Sequence, residues 1–310
     1  QVHDLRVDNE EAMKCVSRAL KIRTELYDEE DTRVAETYMV CGKLLEDWGD
    51  VDEAMTCFQS ALHIYQLQKG NEDKVVATIH DQIAGIYVEK AEYDAAIASY
   101  NEALSIYQDQ LGERSSEVGH TLRNLGAIYD ARQEFETSYK YYMDALKILR
   151  QSLGDKDLSV ALVLNNIGIN LARQRKYKKA IDLCTVALRI RKSELPTNHL
   201  EIADTLINLA NILDDCNKDD QALKFYAEAL VIYRSNFGDE SEDVANSLKS
   251  IGFINIRQGD TTEAISNLSE ALRVLRMKQG VDSLDVSGVL YHLGRIYGKK
   301  AEYEKSLCCF

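Results

Sequence analysis

Apolar and small residues recur along this chain at helical spacing. Leu122, Leu125, Gly126 and Tyr129 step by three, one and three, and Tyr142, Ala145 and Leu146 step by three and one. Such stretches predict amphipathic helices that come in twos, A and B, joined by a short turn such as the RQEF starting at Arg132 or the NKDD starting at Asn217.

The pairs repeat with one period. Gly42, Ala84, Gly126, Gly168, Ala210, Gly252 and Gly294 are each 42 residues apart. Ala12, Ala54, Ala96, Ser138, Ala180, Ala222, Ala264 and Ser306 keep the same step, as do Ala19, Ala61, Ala103, Ala145, Ala187, Ala229 and Ala271. Bulkier residues hold that register at Phe58, Tyr100, Tyr142, Cys184, Tyr226, Leu268 and Phe310. Small residues at fixed phases are what closely packed helices need, since a larger side chain there would push the axes apart. A fixed period of this length marks a repeat array.

Composition narrows the class further. One proline in 310 residues leaves little strand or loop punctuation and favours an all-helical chain. No apolar run reaches the length of a membrane span. The start at Gln1 shows no charged-then-apolar leader, and the repeat pattern is cut at both ends, so we expect the chain to be part of a longer one. Seven cysteines at 15, 41, 57, 184, 216, 308 and 309 form no CxxC pair. They read as free thiols of a reducing compartment, which points to the cytoplasm. The Asn267-Leu-Ser269 triplet falls in the middle of an expected helix and is discounted as a glycan acceptor.

The net charge of −14 argues against nucleic acid as a partner. Most of that charge has a local explanation. The junction windows 28–34, 70–76, 112–118, 154–160, 196–202, 238–244 and 280–286 hold 17 acidic and four basic residues. They precede or open the A helices, where negative charge meets the positive end of the helix dipole. Bases gather near the ends of B helices, as at Arg189, Arg191, Lys192, Arg273, Arg276 and Lys278. Gly70, Gly112, Gly154, Gly238 and Gly280 stand at one phase, with Pro196 near the remaining one, and predict left-handed residues ending each B helix.

The small residue at the eighth position, alanines at the twentieth and twenty-seventh, and the aromatic near the twenty-fourth resemble the tetratricopeptide repeat. The 42-residue length and the junctions LGDKDLSVALVLNNIG and LGERSSEVGHTLRNLG resemble the kinesin light chain subtype, although the histidine-proline pair of that subtype is mostly absent. The resemblance implies an all-α, right-handed superhelical solenoid of antiparallel helix pairs. Full repeats would span 35–76, 77–118, 119–160, 161–202, 203–244 and 245–286. A lone B helix over about 9–27 would precede them, and a truncated repeat at 287–310 would follow.

In that family the A helices line a concave groove. Carried over by position, Gln82, Asn124, Asn166, Asn208, Ser250 and His292 form one groove-facing row, with Asn165 and Asn211 beside it and Leu164, Ile167 and Gly168 packing inward. An amide offers one acceptor and two donors, the set that holds an extended peptide by its backbone. Lys249, Arg257, Arg295 and Lys299, with Arg123 and Arg173 further back, give the C-terminal repeats a basic character suited to an acidic segment of a partner. Asp204, Asp214 and Asp215 make the fifth repeat acidic.

Catalytic patterns are missing from the sequence. The histidines at 3, 63, 80, 120, 199 and 292 fall at unrelated repeat positions, and no HExxH, Walker lysine loop or GxSxG occurs. We therefore expect no enzyme and no cofactor or metal. The expected function is a scaffold or adaptor holding a protein or peptide segment in the groove. A sensing or autoinhibitory arm of a larger nucleotide-switch protein, and a self-associating structural solenoid, are the competing readings.

Overall fold

The computed structural model describes residues 2–309, with side chains from Glu11 onward. Phe310 and the side chain of His3 lie outside the described residues. Fifteen helices and no strand occur among the described residues. Contacts divide the chain into two units, residues 1–155 and 156–310, each a stack of helix pairs.

The first unit holds α1 (Val2–Leu26), α2 (Thr32–Trp48), α3 (Val51–Lys69), α4 (Lys74–Glu89), α5 (Tyr93–Leu111), α6 (Ser116–Ala131) and α7 (Phe135–Leu153). The second holds α8 (Leu158–Arg173), α9 (Tyr177–Glu194), α10 (Leu200–Asp215), α11 (Asp219–Phe237), α12 (Glu242–Gln258), α13 (Thr261–Gln279), α14 (Leu284–Lys299) and α15 (Tyr303–Leu307). In both units each A helix up to α12 packs chiefly on the B helix that follows it, and that B helix on the next A helix of its unit, while α14 packs on α13 as much as on the short α15.

The small-residue series explains the close pairing. A Cβ on Gly126 would meet the Tyr142 ring at 2.7 Å, and one on Gly252 would meet Leu268 at 2.6 Å. At Gly168 it would come within 2.2 Å of the Cys184 sulfur. At Gly42, Gly126, Gly168 and Gly252 the series residue of the A helix is the seat of the bulky residue on its B helix.

Every A helix after α1 is capped at the same phase. Asp31, Asp73 and Asp157 accept a hydrogen bond from the backbone N–H two residues on. Ser115, Ser241 and Ser283 accept from the N–H three residues on. His199 Nδ1 accepts from the Glu201 N–H at 3.3 Å and fills the seventh cap. Part of the junction acidity is therefore direct capping, worth about 1 kcal/mol per cap.

The B-helix ends differ in detail from the sequence expectation. Gly70, Gly112, Gly154, Gly238 and Gly280 have φ between 76° and 93°, but their ψ values of 157–177° are extended and not left-handed helical. That region is essentially reserved for glycine. The left-handed conformation sits instead in the A–B turns, at Gly49 and Gly259, and Ala91, Gln133, Arg175, Asn217 and Ala301 take φ of 55–63° at the same 42-residue step.

Candidate functional site

The open side of the A helices carries a concavity in each unit. In the first, Met39, Val40 and Lys43 of α2, Phe58, and Thr78 and Gln82 of α4 surround about 320 Å³. In the second, a cavity of about 300 Å³ lies between α10 and α12, with α11 as its floor. Ile207, Asn211, Tyr226, Tyr233, Asp243, Asn246 and Ser250 are among its walls. Asn211 and Lys249 come from the set expected to face a ligand, and Ser250 from the polar row.

The asparagines do not share one environment. Asn124, Asn166 and Asn208 are half-buried, and Asn211 is exposed. Asn211 Oδ1 accepts the Tyr226 hydroxyl proton, which fixes the amide and turns its two N–H donors outward. Asn165 departs from the expected groove position: it is 5% exposed, buried with Leu164, Ile167 and Gly168. Its Oδ1 has no hydrogen-bond partner among the described residues. A buried acceptor left so costs free energy, which the packing of α8 around Asn165 must offset.

Arg123 is half-buried, with Tyr100, Tyr142 and Asp81 nearby; burial lowers its pKa, and its Nε has no partner among the described residues. Asp81 accepts from the hydroxyls of Thr121 at 3.3 Å and Tyr107 at 3.5 Å, and burial pushes its carboxyl up to about 6. Arg123 therefore sits in a part-buried, near-neutral setting and not on a basic surface.

Two cations of the expected basic patch are already committed. Lys249 Nζ lies 2.6 Å from Asp285. Arg257 is bound to both Asp219, at 2.8 Å, and Asp214. The His292 ring lies 4.6 Å from that of Phe253, tilted by 50°, and burial lowers its pKa. The Arg295 guanidinium lies 5.6 Å from the centre of the Tyr291 ring, and Lys299 is exposed. The charge at the open side of α10 and α12 is thus carried more by carboxylates than the sequence reading allowed.

Sequence reasoning passed over Tyr233, Asp243 and Asn246. Tyr233 belongs to a further series, Arg23, Tyr65, Tyr107, Leu149, Arg191, Tyr233 and Leu275, again 42 residues apart. Four of its members reach the A helix before or after them: Arg23 and Arg191 bond Thr37 and Thr205, Tyr107 bonds Thr78, and Tyr233 bonds Asp204. That register was readable, but its polar character is not uniform enough to mark it.

Among solved structures the chain is similar to BtubC (BKLC) from P. vanneervenii, with 24% identity over 73% of this chain and 91% of that one, and a TM-score of 0.63. A putative kinesin light chain from Podosopora anserina with nearly identical TPR-like repeats shares 13% identity over 67% and 99%, with a TM-score of 0.58. The apo form of the quorum sensor NprR from B. thuringiensis shares 14% identity over 99% and 83%, with a TM-score of 0.73. At these identities the likeness is one of fold. No curated protein matches the chain. The family model described as tetratricopeptide repeat matches residues 35–66 and, in overlapping stretches, 75–151, 131–193, 159–235 and 201–276. With helix pairs, small-residue seats and family match covering the same residues, the chain belongs to the tetratricopeptide repeat family.

Proposed function

We propose that the chain is a non-catalytic scaffold that holds an extended segment of a partner protein along the open side of its A helices. The observation that carries this reading is the cavity between α10 and α12, where Asn211, Asn246 and Ser250 bring amide and hydroxyl groups together over two tyrosine rings. Pockets of this kind, with a few convergent polar groups, suit a peptide backbone bound largely irrespective of its side chains. Asn208 adds a further amide on α10, and Asn166 carries the same chemistry to α8. The irregular, odd set of cysteines fits a reducing compartment such as the cytoplasm. No helix among the described residues is long and apolar enough to cross a membrane.

The test is selection of random twelve-residue peptides, displayed on phage, against the chain and its Asn211→Ala/Asn246→Ala/Ser250→Ala variant, after matching melts show both are folded. The reading predicts a set of peptides retained by the chain and lost or weakened about tenfold on the variant. Equal retention of the same peptides would move the site out of the cavity between α10 and α12.

A further inference from the structure

The second residue of each A helix tells the cavity between α10 and α12 apart from its counterparts. That residue is an acid in four of them: Glu117 in α6, Glu201 in α10, Asp243 in α12 and Asp285 in α14. Glu117 is held by Lys74 at 2.8 Å, Glu201 by Arg191 at 3.3 Å and Asp285 by Lys249 at 2.6 Å. Asp243, alone of these four, has no ion pair among the described residues.

The repeat register says why. Three repeats earlier, Lys74 neutralises Glu117 and Thr78 accepts the Tyr107 hydroxyl bond at 3.2 Å. In the second unit Leu200 stands where Lys74 does, and Asp204 stands where Thr78 does. The Tyr233 hydroxyl donates to Asp204 at 2.7 Å. One cation has been lost and one carboxylate gained around the same tyrosine.

Arg191, whose field reaches Asp204, is itself bound to Glu201, and the remaining charges do not restore the balance. Lys249 lines the cavity but is bound to Asp285, and Arg257 is divided between Asp214 and Asp219. Burial, then Asp204 and Glu242, push the Asp243 carboxyl above the usual range, as expected of an acid lacking a counter-charge. Tyr226 and Tyr233 add ring surface to the same concavity, which a cation tolerates well.

We infer that this cavity takes a lysine or arginine side chain of the bound segment, seated between Asp204 and Asp243 over the Tyr233 ring, so that the partner of this part of the chain is a basic peptide. The inference rests on the peptide-binding reading and names the chemistry of its ligand. A guanidinium or ammonium there supplies the missing counter-charge through charge-assisted hydrogen bonds, while Asn211, Asn246 and Ser250 remain for the peptide backbone. It departs from the acidic ligand expected from the sequence, because two of the bases that suggested it, Lys249 and Arg257, are bound to carboxylates.

The test again uses random twelve-residue peptides displayed on phage. They are selected on the chain, on Asp204→Asn/Asp243→Asn, and on Asp109→Asn/Glu113→Gln. The last removes two exposed carboxylates elsewhere and controls for net charge. The strongest peptide is then synthesised with a fluorophore and titrated by anisotropy, alongside its counterpart with the enriched base replaced by glutamine. The inference predicts a lysine or arginine fixed at one peptide position. It also predicts affinity weakened roughly tenfold or more on the Asp204/Asp243 variant and changed less than about twofold on the control. The glutamine peptide should bind the chain and the Asp204/Asp243 variant alike. Selected peptides without a basic preference, or equal losses on variant and control, would overturn the inference and leave the peptide-binding reading standing. Selection of no peptide at all would remove both.

Discussion

At the scale of single residues, the molecule is held by contacts with almost no slack. Gly168 faces the Cys184 sulfur and the Ala180 carbonyl, and a methyl group there has nowhere to go. Gly168→Ala should gain about 1 kcal/mol of helix propensity and lose more to overpacking, about 1–3 kcal/mol. It should therefore lower the melting temperature, and adding Cys184→Ala should recover much of the loss. A methyl group on Gly85 of α4 would meet nothing within 4 Å, so Gly85→Ala should raise stability by about 0.5–1 kcal/mol. Asp81 gives a pH signature. Its carboxyl titrates near 6 in the folded chain, against 3.8 for an ordinary aspartate, so the proton is bound more tightly in the folded state. The stability it contributes is present below about 4 and is lost as pH rises through about 6. Asp81→Asn should match the parent in denaturant melts at pH 4 and exceed it at pH 7, by up to about 3 kcal/mol. Thr121, Tyr107 and Arg123 remain beside the new amide.

At the scale of elements, the two kinds of turn place different demands on the backbone. Arg175 adopts φ of 60° in the α8–α9 turn, a conformation that costs a non-glycine residue about 1–2 kcal/mol. Arg175→Gly relieves that strain but loosens the unfolded chain, so the net gain should be a small rise in melting temperature. Gly154, at φ 93° and ψ 163°, is a different case. Gly154→Ala should destabilise by about 1–3 kcal/mol, since alanine has no comfortable state there. The sequence made the second position visible and hid the first. Glycines at one phase after the B helices announced a special backbone, whereas the A–B turn carries glycine only at 49 and 259 and otherwise Ala91, Gln133, Arg175, Asn217 and Ala301. A one-turn connection can force left-handed geometry on whatever residue stands there, and no residue type then reports it.

At the scale of the whole molecule, periodicity made the helices, their pairing and their seats legible, because Gly126 and Tyr142 meet wherever helices of that length fold back on each other. The charge map was less legible. Lys249 with Asp285, Arg257 with Asp219 and Arg234 with Glu270 lie 36 or 38 residues apart, and which of them meet depends on how one pair is rotated on the next. Asn165 failed for a similar reason: at the edge between the open and packed faces of α8, a small rotation of the helix decides its side. Stability in stacked repeats is a sum of local and neighbour terms, so such edge residues vary without loss of fold and leave the open side free to specialise. The central claim is that this open side binds a peptide. The most direct measurement is the side-chain amide NMR spectrum of the chain, assigned for asparagine, with and without a saturating peptide from the display selection. The account predicts that the amide signals of Asn166, Asn208 and Asn211 shift, while those of Asn101, Asn236 and Asn267 on the B helices stay in place. Shifts confined to Asn101, Asn236 and Asn267 would contradict it.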